Sequence, residues 1–200
     1  MPVDAAKVIP TPTPLEPGAP EPVTLRPATS ADAPALALVG AATFLEAFTW
    51  MLPGADILTH CAKNHTAAAY LNYFAAPETR ITLATSGDDA PVGYAMLTAP
   101  ELPTLAVLST DIELKRIYLF SRFRSAPVTD SPGVRPAQAL LDAAVTNARA
   151  LNRTRLLLGT HANNQRAIAF YRRNGFAEAG TRTFQVGTQV CSDLIFAKHL

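Results

Sequence analysis

Residues 156–176 read LLLGTHANNQRAIAFYRRNGF, and this stretch decides the fold of the chain. Its first three residues belong to a short, mainly apolar run, residues 155–158, that predicts a buried strand. Asn163 or Asn164 follows at the position expected for a helix N-cap, and Gly175 stands where a glycine commonly ends a helix. The sequence therefore predicts a strand that leads through a polar turn into a short helix.

The rest of the chain supplies the elements around this unit. A strand at residues 23–26 precedes a helix that Thr29 or Ser30 caps, and residues 55–77 are predicted to be helical in two pieces. The later predicted elements are strands 81–84, 92–97 and 112–119, helix 135–151, and closing strands 181–186 and 193–198. A β-hairpin before a strand–helix–strand unit is typical of the α+β class, with helices flanking a mixed central sheet.

Composition predicts one domain with a proline-rich leader. The chain has 200 residues, of which 48% are hydrophobic and 16% charged. This is enough for one substantial core, so residues 23–200 are predicted to form a single domain. Seven of the 17 prolines fall within residues 2–22. Because closely spaced prolines block helix formation, residues 1–22 are predicted to be a disordered leader.

Charge and cysteine content exclude several classes of function. The net charge is +1, with 17 basic and 16 acidic side chains, whereas nucleic-acid binding needs a marked basic surplus. Cys61 and Cys191 are the two cysteines, which favours a reduced, cytoplasmic setting over a disulfide framework. No apolar run approaches the ~20 residues that span a bilayer, so no membrane partner is expected.

The pattern Asn164, then Arg-Ala-Ile-x-Phe-Tyr-x-x-x-Gly-Phe up to Phe176, resembles the acceptor-side signature of the GNAT superfamily of N-acetyltransferases. The resemblance implies a GNAT fold in which strands 112–119 and 154–160 run parallel and splay apart. It implies that acetyl-CoA lies in the gap, with Asn164 against the pantetheine arm and Tyr171 near the sulfur. The implied reaction is direct attack of an amine on the thioester, with no covalent enzyme intermediate.

The chemistry of a phenol suits the role that the resemblance gives Tyr171. With a reference pKa of about 10, a tyrosine keeps its proton at neutral pH and can donate it to a departing thiolate. A backbone N–H near Leu119 is expected to hold the thioester carbonyl. The alternative is that Phe170 and Tyr171 are ordinary core residues of an amphipathic helix.

The segment between strand 112–119 and the next helix departs from the family pattern. Relatives carry a (Gln/Arg)-x-x-Gly-x-(Gly/Ala) loop whose amides wrap the pyrophosphate, but this chain has Pro132-Gly133-Val134-Arg135-Pro136-Ala137 after a lengthened stretch. Pro136 has no N–H to offer. Candidate cofactor contacts are Leu119, Arg122, Arg124, Gly133, Arg135, Ala137, Gln138 and Asn164. Arginine side chains can replace lost amide contacts; the alternative is a catalytically impaired binding or regulatory protein with weakened CoA binding.

Further stretches resemble the bacterial polyamine (spermidine/spermine) branch of the superfamily. They are residues 43–48, 113–119, 121–123, 180–187 and 193–194. The resemblance implies a small cationic amine as acceptor, with an exposed peptide amine as the other option. Glu46 and Glu113 are candidate carboxylate partners; Glu113 is also a candidate base acting through water, or else a salt-bridge partner.

The remaining candidates concern the acceptor pocket, metals and assembly. Phe44, Trp50 and His161 are candidate acceptor contacts, with helix packing as the alternative for the aromatic residues and a simple loop position for His161. His60, Cys61 and His65 are too few for a zinc site without a fourth ligand, so no metal is expected. A homodimer is a further expectation.

Overall fold

A computed structural model of the chain describes Gly18, residues 20–186 and residues 188–200, and it places their strands in one mixed sheet. The strands are β1 (Val23–Pro27), β2 (Arg80–Ser86), β3 (Ala90–Thr98), β4 (Asp111–Leu119), β5 (Arg155–His161), β6 (Ala177–Val186) and β7 (Gln189–His199). Their order is β1-β2-β3-β4-β5-β7-β6. Within this sheet β4 and β5 pair in parallel and the other neighbours are antiparallel, so the predicted α+β class is confirmed.

Five α-helices flank the sheet in the described part of the chain. They are α1 (Ala33–Phe48), α2 (Gly54–Asn64), α3 (Ala67–Ala75), α4 (Pro136–Ala150) and α5 (Gln165–Arg173). The predicted break within residues 55–77 falls at His65 and Thr66, where the Thr66 hydroxyl accepts a hydrogen bond from Ala69 N and caps α3. Most of the predicted leader, residues 1–17 and 19, lies outside the described residues, so that prediction stays open.

Each face of the sheet packs against its own helices. Helices α4 and α5 cover one face, where Leu140, Leu141 and Ile168 are buried in one cluster with strand residues such as Leu114. Helices α1 and α3 cover the other face and bury a separate set, Leu36, Val39, Tyr70, Leu83, Tyr94 and Met96. The chain therefore has two apolar layers with the sheet between them.

Helix α1 and the turn before it have an apolar composition. By length and composition alone, residues 30–48 could cross a membrane. In the structure Leu36 and Val39 are fully buried against β-strand residues, so core packing accounts for part of the apolar composition, while Leu38 and Leu45 are exposed. The expectation of no membrane partner stays a prediction.

Strands β4 and β5 pair over three residues only and then separate. The paired positions are Asp111 with Arg155, Ile112 with Leu156, and Glu113 with Leu157. Beyond this point β4 contains a bulge, because Met96 of β3 pairs with Arg116 whereas Leu97 pairs with Leu114. A bulge bends its strand and increases the local twist. The predicted splay of the two parallel strands is therefore present, and it opens a gap in the middle of the sheet.

An ion pair holds the closed end of this gap. Both Asp111 oxygens accept from Arg155, at 2.8 Å from Nε and 2.6 Å from Nη2, and Leu108 N donates to the same carboxylate at 2.7 Å. The Asp111 side chain is fully buried. Burial alone would raise its pKa, but the hydrogen bonds from Arg155 and Leu108 and the Arg155 charge hold the pKa below its ordinary value.

Candidate active site

A cavity of about 1060 Å³ occupies the gap between β4 and β5. Its walls come from α1, from β4 beyond the bulge, from the loop before α4, and from α5. The cavity brings together most of the residues that the sequence singled out, namely Phe44, Glu46, Leu119, Arg124, Gly133, Arg135, Ala137, Gln138, His161, Asn164 and Tyr171. Glu113, Arg122 and Trp50 are not among its lining residues.

Tyr171 is both a core residue and a wall of the cavity. It is 7% exposed, and its ring packs against Phe170, Phe176 and Phe196 at centroid distances of 5.5, 5.6 and 6.2 Å. Burial raises the pKa of Tyr171 above its ordinary value, with a smaller contribution from Tyr118. The phenol is therefore protonated at neutral pH and is held in position by aromatic packing.

Local signals at both ends of α5 place Tyr171 there. The Asn164 side-chain oxygen accepts a hydrogen bond from Ala167 N at 3.2 Å and caps the helix. Gly175 has φ of +80°, a left-handed conformation that glycine adopts without strain, and it stops the helix. Asn164 thus has a capping role, and the pantetheine contact that the resemblance implies for it stays a prediction.

The start of α4 shows how the rewritten phosphate loop is built. Pro136 occupies the first helical turn, and Arg135 at the N-cap position has extended backbone angles. Because the first N–H groups of a helix have no intrahelical partner, Ala137 and Gln138 keep free amides beside the cavity. Gly133 has φ of +82° and turns the chain into the helix. The start of α4 thus presents first-turn amides beside the cavity with none from Pro136, and their role in binding the pyrophosphate stays a prediction.

The Gln138 side chain has a structural role in the same region. Its Nε2 donates to Asp142 Oδ1 at 2.9 Å and to Asn174 Oδ1 at 2.8 Å. The second of these bonds links α4 to the end of α5 at the wall of the cavity. A cofactor contact from Gln138 would therefore come from its backbone amide.

The lengthened stretch before α4 packs on the edge of the sheet. Val23 N donates to Pro127 O at 2.8 Å, Thr129 N donates to Val23 O at 3.0 Å, and Val128 forms a parallel bridge with Val23. Ala126 is buried here as well. The extra residues therefore cover the exposed edge of β1, which leaves the shorter segment from Gly133 to Arg135 facing the cavity.

Arginines supply positive charge along the side of the cavity formed by α5 and the loop. Arg124 and Arg166 line it, and burial together with the nearby Arg166 charge lowers the pKa of Arg124. Arg173 also lines the cavity. Arg122 does not; its Nη2 lies 3.4 Å from Gly18 O. Sequence reasoning missed Arg166 and Arg173 as site residues, although Arg166 is the arginine that opens the Arg-Ala-Ile pattern.

Replacement of Arg135 by alanine is expected to raise the Michaelis constant for acetyl-CoA about three- to tenfold, less than a buried charged contact would give, because Arg135 is exposed to solvent. Arg135 lines the cavity and its Nη1 donates to Ser125 O at 2.6 Å, so the change removes a charge and loosens the loop. Initial rates of thiol release at varied acetyl-CoA measure the effect. Arg149→Ala, an exposed arginine elsewhere on α4, is the matched control. Equal Michaelis constants for acetyl-CoA in Arg135→Ala and Arg149→Ala would contradict a cofactor role for Arg135.

The predicted acceptor-binding residues differ in their position relative to the cavity. Phe44 is buried and stacks on His60 at 4.1 Å, and Glu46 accepts hydrogen bonds from Ser121 N and Oγ at 3.0 and 2.7 Å. Trp50 is 64% exposed, donates to Ala47 O, and meets the His161 ring edge-on at 6.4 Å. Phe44, Glu46 and His161 thus border the cavity, while Trp50 stands beside it.

Glu113 lies at the closed end of the gap and not on the cavity wall. Its carboxylate is buried, accepts from Glu101 N at 2.7 Å, and lies 3.8 Å from Lys115 Nζ. These are the contacts of a structural carboxylate, which is the salt-bridge role that the sequence left open beside base catalysis. We therefore assign no proton transfer to Glu113.

The histidines of α2 and of the turn after it belong to an aromatic cluster. His65 Nδ1 lies 3.0 Å from Tyr70 Oη, and burial lowers the pKa of His65 to about 3 and that of His60 to about 4. Both imidazoles are therefore neutral at pH 7. Among the described residues no three His, Cys, Asp or Glu side chains form a group that could hold a metal, and the absence of a metal stays an expectation.

Comparison with known proteins identifies the fold and its relatives. Residues 136–176 match the model of the "Acetyltransferase (GNAT) family". The chain is 31% identical over 169 residues to uncharacterized N-acetyltransferases of Mycobacterium tuberculosis and Mycobacterium bovis, an alignment that spans 84% of this chain and 98% of each relative.

Two solved structures illustrate the similarity of the fold. PaiA N-acetyltransferase from Thermoplasma acidophilum, crystallised in complex with coenzyme A, superposes with a TM-score of 0.65 at 17% identity, over 89% of this chain and 99% of that one. The ribosomal-protein-alanine N-acetyltransferase from Brucella melitensis gives 0.60 at 23% identity, over 88% and 99% of the two chains.

Proposed function

Because this chain belongs to the GNAT family of N-acetyltransferases, we propose that it transfers the acetyl group of acetyl-CoA to a small amine or an exposed peptide amine by direct attack. The observation that carries the proposal is the cavity at the splay of β4 and β5, with the buried, neutral Tyr171 in its wall. The family uses acetyl-CoA, which supplies an activated acyl group as a thioester.

The β4 backbone offers a donor for the thioester carbonyl oxygen. Phe120 N donates to Val92 O of β3 at 3.0 Å. Since successive backbone amides of a strand point to opposite sides, the N–H of Leu119 faces the β5 side, where pairing has already ended. A preorganised amide at this position stabilises the negative charge that develops on the oxygen during attack.

Tyr171 moves the proton that the reaction needs. The amine nitrogen forms the new C–N bond, the C–S bond breaks, and the Tyr171 hydroxyl donates its proton to the departing sulfur. The proton lost by the amine returns to the phenolate through solvent, so charge and protons balance. The raised pKa of Tyr171 keeps the phenol protonated at neutral pH, so the proton is present when the C–S bond breaks.

The cavity's cations and helix amides suit the anionic part of the cofactor. The first-turn amides of α4 at Ala137 and Gln138 face it together with Arg124, Arg135 and Arg166. Guanidinium groups bind phosphate oxygens by charge-assisted hydrogen bonds. These contacts support cofactor binding despite the proline in the first turn.

A polyamine acceptor, which the sequence resemblance implies, would need free carboxylates. Among the described residues three carboxylates line the cavity. Glu101 pairs with Lys115 at 2.7 Å and Asp193 with Arg182 at 3.0 Å, whereas Glu46 accepts hydrogen bonds from the neutral Ser121 and is the one without a cation partner. The spermidine arm of the experiment below tests this acceptor directly. Cytoplasmic localisation and a homodimer likewise remain predictions.

The test is a panel of amines incubated with purified protein and acetyl-CoA. Free thiol release gives the rate, and mass spectrometry of the amine gives a product heavier by one acetyl group. The panel contains spermidine, spermine, simple alkylamines, amino acids and short peptides, with reactions lacking amine as controls. Binding of acetyl-CoA without release of free thiol in the presence of any amine would contradict the enzymatic function. It would support the alternative, a catalytically impaired binding protein, which the rewritten loop favours.

A further inference from the structure

Arg116 is a partly buried cation at the wall of the cavity, for which the described residues provide no carboxylate. Its guanidinium carbon lies 5.6 Å from the Tyr70 ring centre and 5.3 Å from that of Tyr73. Its Nη1 is fully buried and has no hydrogen-bond partner in the part of the chain that the structure describes. Arg116 lines the same cavity as Tyr171, on the side formed by α1 and α3.

The surroundings of Arg116 do not neutralise its charge. Burial raises the pKa of Tyr70, Tyr94 and Tyr118, in the last case to about 12, so these residues are neutral phenols. Burial also keeps His60 and His65 neutral. The guanidinium stays protonated at any pH that the protein survives. Cation–π contacts with two tyrosines and a side-chain contact with the Tyr70 hydroxyl stabilise the guanidinium, whereas its Nη1 is a buried donor without an acceptor, which is costly.

The aromatic cluster around Arg116 is rigidly built. Tyr70 Oη lies 2.6 Å from Tyr94 Oη and 3.0 Å from His65 Nδ1. A Cβ at Gly40 of α1 would lie 2.3 Å from Tyr70 Oη, so a glycine is needed there for the tyrosine to approach the helix. A fixed cation at a cavity wall is preorganised for a ligand, since binding costs little further ordering.

The other cations on this side of the cavity already have partners. Lys115 pairs with Glu101, and Arg182 pairs with Asp193. Among the described residues on this side, Arg116 therefore remains as the cation without a carboxylate partner. Its side chain is partly exposed and lines the cavity, so an oxyanion bound there would compensate its charge.

We propose that the acceptor amine carries a carboxylate that Arg116 binds, so that the substrate is of the amino-acid type and not a polycation. The inference rests on the proposed acetyl transfer, because it assigns the acceptor of that same cavity. It gives Arg116 the role of a specificity-determining residue: the guanidinium fixes the acid end of the acceptor while the amine end reaches the acyl group.

The first test compares amino acids with their decarboxylated amines on the wild-type protein. The pairs are ornithine with putrescine, lysine with cadaverine, tyrosine with tyramine, and β-alanine with ethylamine, and they differ only in the carboxyl group. We expect at least one amino acid to exceed its partner in kcat/KM by about 10- to 100-fold, the range of a hydrogen-bonded charged contact. Preference for the decarboxylated member throughout, or for spermidine, would overturn the proposal and leave acetyl transfer intact.

The second test changes Arg116. In Arg116→Gln we expect KM for the preferred amino acid to rise about 10- to 100-fold and the preference within the pair to collapse. Arg116→Lys should restore part of the preference, because it returns the charge without the planar fork. Arg149→Gln is the matched control and should keep the preference. Circular dichroism and the KM for acetyl-CoA check folding; should Arg116→Gln not fold, the wild-type comparison decides alone. A folded Arg116→Gln that keeps the preference refutes the assignment.

A binding measurement can test the Arg116 site even if the protein does not catalyse acetyl transfer. If no amine gives thiol release, the same pairs are titrated into the protein in the presence of coenzyme A by calorimetry. Tighter binding of the amino acid, lost in Arg116→Gln, then supports the Arg116 site without turnover. Equal or absent binding of both members refutes it.

Discussion

Replacing Tyr171 with phenylalanine should lower kcat by about 10²- to 10⁴-fold, the usual contribution of a positioned general acid. The variant keeps the ring that packs on Phe176 and Phe196 and removes only the hydroxyl. The acetyl-CoA Kd should therefore change little, because the lost group acts on the departing sulfur. Initial rates of thiol release measure kcat, and calorimetry measures the Kd.

The control for this variant is Phe176→Leu. Phe176 packs on the Tyr171 ring at 5.6 Å and does not line the cavity, so this change disturbs the packing of the ring but should leave most of the turnover. Thermal melting of both variants separates lost chemistry from lost stability. An unchanged kcat in Tyr171→Phe would remove Tyr171 from the reaction and restore its interpretation as a core residue.

Loss of the ion pair at the closed end of the gap should have the largest effect on stability. In Asp111→Ala, Arg155 would lose both carboxylate contacts, and removing one partner of a buried pair typically costs about 3–5 kcal/mol. Denaturant unfolding measures this loss as a lower transition midpoint. Because the pKa of Asp111 is lowered by folding, its contribution is complete above its ordinary pKa and is lost as the pH falls through the folded value.

Asp88→Ala is the matched control for that prediction. Asp88 is exposed in the turn between β2 and β3, and such substitutions usually change the free energy of unfolding by less than about 0.5 kcal/mol. An Asp111→Ala variant as stable as Asp88→Ala would mean that the short β4–β5 pairing holds the gap without the ion pair.

The strand–turn–helix around Tyr171 could be predicted from the sequence because its signals are local. A side-chain cap at Asn164 and a left-handed glycine at Gly175 act within one helical turn of the residues that they order. The parallel splayed strands followed from the family resemblance, and the structure supplies their physical cause in the β4 bulge. Local sequence signals therefore predict α5, whereas the position of the site could be found only from the arrangement of the whole sheet.

Arg116 could not be placed from the sequence because the bulge changes the face of every later residue in β4. Strict alternation would put Arg116 and Tyr118 on the same face as Ile112 and Leu114. With the extra residue at position 115, it is Ile117 that packs with Leu114 near α4, and Arg116 turns toward α1 and α3. A bulge has no reliable signature in a single sequence.

Long-range contacts explain the other differences. The sequence predicts a lengthened loop before α4, and the extra residues of this loop pair with Val23, more than a hundred positions away in the chain. The sequence also offers Glu113 as a candidate base, and its carboxylate accepts from Glu101 N at 2.7 Å. Neither partner follows from local spacing, because both depend on how distant segments meet.

Binding of acetyl-CoA in the gap between β4 and β5, despite the rewritten loop, can be measured by calorimetric titration of acetyl-CoA into the purified protein. ATP serves as a control for unspecific attraction of polyphosphates to the arginines. We expect a saturable heat with one site per chain, a Kd between about 1 μM and 1 mM, and weaker binding of ATP. No heat at about 1 mM acetyl-CoA, the upper end of ordinary substrate constants, would contradict binding in the gap.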